Sequence, residues 1–197
     1  MQTIETRLPG VAIFEPNRFG DQRGFFMETF QRDRYAEAGL DREFVQDNFS
    51  RSCQGVLRGL HYQMENPQGK LVTVMRGEIY DVALDMREYS NTFGEWVGVR
   101  LSGENGRQLY IPPGFAHGFC VLSEEADFHY KCTDFYDPAS ERSVVWNSPE
   151  LQIDWPIEKP VVSEKDQAGE VFAHADRYTN PLQVEDVVPN LKVGFSD

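Results

Sequence analysis

Cysteine is scarce in this 197-residue chain: Cys53, Cys120 and Cys132 are odd in number, widely spaced and outside any Cys-x-x-Cys pair. Neither a disulfide framework nor a zinc knuckle is supported, and a reducing, cytoplasmic setting is the expectation. Long apolar runs are missing too. None exceeds four residues, Val11–Phe14 being one, so no membrane-spanning helix is expected. The first twenty residues, broken by Glu5, Pro9, Gly10, Glu15 and Pro16, hold no apolar segment of secretory-signal length. Basic residues are few, 19 Lys plus Arg against 32 Asp plus Glu for a net −13, which argues against nucleic acid as a partner. There is no Gly-x-Gly-x-x-Gly fingerprint, no Gly-Lys-Ser/Thr loop, no internal repeat and no Pro/Ser-rich linker.

What is present fits one globular domain over residues 1–197, with 40% apolar and 26% charged residues. One helix is expected from Gln31 to Ala38, with Gly39 placed to end it. Short strands are expected at Leu71–Met75, Ile79–Leu84, Trp96–Leu101, Phe119–Leu122, Phe128–Thr133 and Ser143–Trp146. Turn residues separate them, as in Asn66-Pro67-Gln68-Gly69 and Pro112-Pro113-Gly114. Such a rhythm predicts an all-β sandwich, jelly roll or barrel with few short helices. From about residue 168 the pattern weakens into an acidic, Pro181- and Pro189-punctuated arm. Cys120 and Cys132 lie in apolar strands and read as buried filler.

Four histidines are available, and two sit in informative surroundings. Gly55, His61, Gln63, Lys70 and Gly77 have nearly the spacing of the first cupin motif; Gly106, Pro112, Gly114 and His117 have that of the second. Metal-binding cupins carry a second His where Gln63 stands and an acid nearest to Lys70. A cation at that place repels a metal, so the pattern reads as a metal-free cupin-type jelly roll. Lys70 and His61 together then suit a mobile proton and a developing negative charge. Strand parity groups His61 with Gln63, Lys70 with Val72 and Val74, and Tyr130 with Phe128 and Cys132. Arg58 and His61 fall on opposite faces unless Gly59 forms a bulge.

Charge adds a clue. Residues 51–76 carry Arg51, Arg58, Lys70 and Arg76 against Glu65 alone, a local +3 that suits a diphosphate-bearing small molecule. Tyr136, at a strand end, could stack on a base or sugar.

The runs Gly24–Glu28, Val45–Ser50, Leu57–Gln63, Gln68–Val72, Ile111–Phe119, Tyr130–Thr133 with Tyr136, and Ser163–Asp166 together resemble the dTDP-4-dehydrorhamnose 3,5-epimerase family over about residues 3 to 180. The resemblance implies a cytoplasmic enzyme without cofactor or metal, acting on a dTDP-sugar. It also implies a homodimer with N-terminal strand exchange, part of each site being completed by the neighbour. His61 corresponds to the family's base, Asp166 to the carboxylate that orients it, Lys70 to the cation on the enolate oxygen and Tyr130 to the general acid. Arg23, Phe26, Glu28, Gln46, Asn48, Arg58, His117, Glu141 and Lys165 correspond to substrate contacts, and Tyr136 to the thymine-stacking aromatic. Two other classes fit the same residues: a single-carbon epimerase, and a metal-dependent or merely sugar-binding cupin.

Overall fold

The computed structural model describes residues 1–184. Two antiparallel sheets face one another. The first runs β1 (Gln2–Glu5), β2 (Ala12–Glu15), β10 (Gln108–Ile111), β7 (Lys70–Arg76), β12 (Glu125–Cys132), β5 (Gln46–Cys53) in spatial order. The second runs β13 (Glu141–Ser143), β6 (Val56–Gln63), β11 (Phe115–Val121), β8 (Glu78–Asp85), β9 (Trp96–Ser102), with β14 (Val161–Val162) added in parallel beside β6. From β5 to β8 and from β9 to β13 the chain alternates between sheets, as in a jelly roll. A separate two-stranded hairpin is formed by β3 (Arg18–Asp21) and β4 (Gly24–Met27).

Three apolar clusters hold these layers. Val72, Val74, Ile79, Leu109, Phe119 and Phe128 pack between the sheets. The outer face of the second sheet, with Leu60, Val82 and Leu84, is covered by Ala175, Tyr178 and Val184, so the described part of the weakly patterned arm is packed against the fold. Pro189 and the rest of that arm lie outside the described residues. The outer face of the first sheet receives α1 (Arg32–Glu37) through Tyr35, whose hydroxyl donates to Gln108 at 2.6 Å. Gln31 caps α1 by accepting the Arg34 N–H, and Gly39 at φ +100° ends it, as expected from the sequence.

Leu71–Met75, Ile79–Leu84 and Trp96–Leu101 appear within one residue of their expected places, as β7, β8 and β9, whereas Phe128–Thr133 begins three residues earlier, at Glu125. Phe119–Leu122 starts earlier, at Phe115, because all of β11 is buried on both faces and His117 and Gly118 mask its strand character. Ser143–Trp146 shrinks to Glu141–Ser143; Val144 instead exchanges backbone bonds with Leu60 and bridges Glu170. Strand β5 was not expected at all. Its less exposed side carries Gln46, Asn48, Ser50 and Ser52, so no apolar alternation announces it.

The pairing of β6 with β11 has one irregularity. His117 pairs with His61, but Phe119 pairs with Arg58, so β6 holds one extra residue in that interval. Gly59, at φ +113°, sits in the bulge, which brings Arg58 and His61 to the same face. A Cβ there would lie 2.5 Å from Gly118 Cα and 2.6 Å from the His117 carbonyl oxygen. Gly59→Ala is therefore expected to lower stability by roughly 2 kcal/mol or more, with a lower melting temperature in a thermal scan. An unchanged melting temperature would show that the two backbones need not approach so closely.

Candidate active site

A cavity of about 370 Å³ opens between the sheets. The second sheet supplies Arg58 and His61 from β6 and His117 from β11; the first supplies Asn48 from β5, Lys70 from β7 and Tyr130 from β12. Helix α2 (Glu164–Gln167) closes one side with Lys165 and Asp166. A smaller lobe, about 70 Å³, shares His61, Lys70 and Tyr130 and reaches Tyr136 and Glu141 at its mouth.

His61 Nε2 lies 2.6 Å from Asp166 Oδ1. An ionised carboxylate only accepts, so this nitrogen carries the hydrogen and Nδ1 is left as the basic one. Asp166 is buried, and burial pushes its carboxyl up. The hydrogen bond and charge of His61, with bonds from Ser163 and the Gly59 backbone, outweigh that and hold it below the usual carboxylate range. Ser163 also caps α2 by accepting the Asp166 N–H at 3.1 Å. The bulge thus serves the dyad twice, aiming His61 and lending the Gly59 N–H to its partner.

Lys70 stands beside Cys132 across the β7–β12 ladder. Among the described residues, none gives its ammonium a hydrogen bond or an ion pair. Burial lowers its proton affinity, while Cys132, Glu141 and Asp81 act in the other direction. Burial likewise raises the Tyr130 phenol to about 12, which keeps it protonated at neutral pH. Lys70 and Tyr130 project from the sheet opposite His61, so base and acid face each other across the cavity.

Other expected residues sit nearby. Arg58 Nε donates to Ser52 Oγ at 3.0 Å. The Tyr136 hydroxyl donates to Glu141 at 2.9 Å, and Lys165 pairs with the same carboxylate. Burial pushes Glu141 up, but these two bonds bring it below its ordinary value. Gln46 accepts the Tyr136 N–H at 2.9 Å and donates to Asn48 at 3.0 Å, tying Tyr136 to β5. Gln63, at the position of a second cupin histidine, instead bonds the backbones of Asn66, Phe135 and Asp137.

Two groups of residues are divided within the chain. Arg23, Phe26 and Glu28 are not brought to this cavity within the chain: Arg23 is 84% exposed and pairs with Asp21, and Glu28 pairs with Arg34. Phe26 is 69% exposed on the hairpin, which Arg18 of β3 ties to the Gly103 and Glu104 carbonyls of the turn after β9. The local +3 also divides. Arg51 is bound to Asp127 and Arg76 to Glu125 on the outer face, so only Arg58 and Lys70 of that group enter, joined by Lys165. Sequence reasoning missed Ser52 and Asp81; the one available signal for Asp81 is a lone acid inside an apolar strand.

The sequence profile of the dTDP-4-dehydrorhamnose 3,5-epimerase family matches residues 5–174. The chain belongs to this family. It is 57% identical to the dTDP-4-dehydrorhamnose 3,5-epimerase of Pseudomonas aeruginosa over 89% of its own length and 98% of the relative's. It is 56% identical to that of Shigella flexneri, over 90% of this chain and 99% of the relative. The crystal structure of a 3,5-epimerase from Legionella pneumophila in complex with dTDP-4-keto-L-rhamnose superposes with a TM-score of 0.88 at 54% identity, covering 91% of this chain and 98% of that one. Like the family, the chain is an isomerase, specifically a dTDP-4-dehydrorhamnose 3,5-epimerase with the expected jelly roll.

Lys70 is half-buried at the start of β7, and a partly desolvated ammonium without an ion pair destabilises the fold that holds it. Lys70→Met is accordingly expected to raise the melting temperature while abolishing substrate proton exchange. A variant that melts lower and still exchanges would remove Lys70 from the chemistry.

Proposed function

We propose that this cavity inverts C3 and C5 of dTDP-4-dehydro-6-deoxy-D-glucose, giving dTDP-4-dehydro-L-rhamnose, by proton transfer alpha to the C4 ketone. The observation that carries the assignment of roles is the His61–Asp166 dyad on one sheet facing Lys70 and Tyr130 on the other. His61 Nδ1 takes the proton, and Asp166 stabilises the imidazolium that forms. The Lys70 ammonium receives the negative charge that builds on the ketone oxygen. Tyr130 returns a proton to the opposite face of the carbon.

Each part is needed because a carbon acid beside a ketone is weak. General-base assistance supplies ~10²–10⁴-fold. A preorganised charge at the developing oxyanion adds ~3–4 kcal/mol of barrier lowering, judged by the loss of one such donor elsewhere. Proton transfer of this kind calls for neither a redox cofactor nor a metal. Arg58 and Lys165 supply positive charge for the diphosphate, and Tyr136 the platform for the thymine.

The active form is proposed to be a homodimer in which the β3–β4 hairpin of a second copy brings Arg23, Phe26 and Glu28 to the cavity mouth. Support comes from Phe19, Phe25 and Phe26, which are 63%, 53% and 69% exposed on a ribbon that no apolar cluster among the described residues covers. Phe26→Asp is expected to shift the sedimentation profile from dimer toward monomer and to raise KM at least tenfold. A dimer of full activity would refute the shared site.

Turnover in D2O tests the chemistry directly. Deuterium is expected at both C3 and C5 of the product, and His61→Asn should reduce incorporation at both by at least 10²-fold. Label at one carbon alone would make the chain a single-centre epimerase, and unchanged exchange in His61→Asn would sink the dyad.

A further inference from the structure

Strand β8 places two acids, Asp81 and Asp85, on the face that looks into the sandwich, and both are 0% exposed. Asp85 has ample compensation. Arg87 grips it at 2.8 Å, and the hydroxyls of Ser90 and Thr92 donate to it, so it serves the turn into β9. Asp81 is different. Among the described residues no Lys or Arg forms an ion pair with it; its hydrogen-bond partner is His117 Nε2, 3.0 Å from both carboxylate oxygens. Around the pair the core is apolar: the His117 ring stacks 6.0 Å from Phe128 and 6.4 Å from Phe119. A buried carboxylate with so little compensation opposes folding, and stability alone gives no reason for it.

The arrangement repeats that of His61. The two histidines are register partners on β6 and β11, both line the cavity, and each commits Nε2 to its own carboxylate. From this geometry, and resting on the catalytic reading above, we infer that Asp81 is a positioning residue: it holds the Nε2 hydrogen of His117 and so presents the Nδ1 edge of that ring to the bound substrate. One imidazole works as the base while the other is kept as an oriented binding group. The Asp81 charge also favours the ammonium form of Lys70, so one buried acid steadies two groups of the cavity.

The test is a double-mutant cycle with a spectroscopic readout. Asp81→Leu removes the acceptor, His117→Gln keeps an amide donor for Asp81, and the third protein carries both changes. In the wild type, ¹⁵N-histidine NMR is expected to show His117 hydrogenated at Nε2, a signature lost in Asp81→Leu. That variant is expected to lose ~10–100-fold in kcat/KM, the worth of one hydrogen bond to a charged group. Added to His117→Gln, it should cost less than a further twofold. If Asp81→Leu does not fold, Asp81→Asn is carried through the same cycle, with the same non-additivity expected. Additive losses, or an unaltered His117 signature in Asp81→Leu, would overturn the assignment. Absence of proton exchange in the wild type would instead overturn the catalytic reading, and the NMR signature would still decide whether Asp81 orients His117.

Discussion

The cavity depends on one backbone contact, the approach of Gly59 to Gly118 where β6 lies against β11. Without the extra residue in β6, parity would send Arg58 to one face and His61 to the other. With it, both enter the same cavity, and the Gly59 N–H is freed to reach Asp166. Only glycines let two strands come so close, which is why a bulge rather than a loop does the aiming. The proposed base, His61, therefore sits in the middle of a strand, not on a loop, and its direction is set by hydrogen-bonded ladders on both sides.

Placing charge inside a sandwich works against the packing that makes a sandwich stable. The fold manages the conflict by dividing the interior. One end is filled by aliphatic and aromatic side chains. The other is lined by groups whose protonation the surroundings alter: burial weakens the Lys70 ammonium and strengthens the Tyr130 O–H, whereas Asp166 is kept ionised by its bonds. These are the states the proposed proton transfer needs, with an acid that holds its proton until a strong base appears and a carboxylate that never leaves its histidine.

Charge is likewise sorted by position rather than by total. The chain is strongly acidic overall, yet Arg58, Lys70 and Lys165 converge on the cavity while Arg51 and Arg76 are spent on outer-face acids. A count along the sequence cannot separate these cases, because strand parity and the bulge decide which side each residue takes. The same holds for β5, whose inner face is polar since it borders the cavity and not the core. The alternation by which strands are ordinarily found fails at a functional wall.

By itself the sequence determined the strand-rich class, the helix ended by Gly39 and the family, and it singled out His61 as a candidate base beside the Lys70 cation; Tyr130 entered as a candidate acid through the family resemblance. Those follow from local chemistry: turn residues, β-branched runs and motif spacings act over a few residues and remain visible in one dimension. Tertiary structure alone decided that Arg58 joins His61, that Arg51 and Arg76 do not, and that Arg23, Phe26 and Glu28 stand outside the cavity of their own chain. It alone showed Asp81 behind His117, a contact between strands 36 residues apart. Such pairings depend on register and on backbone approach across sheets, which no single stretch of sequence contains.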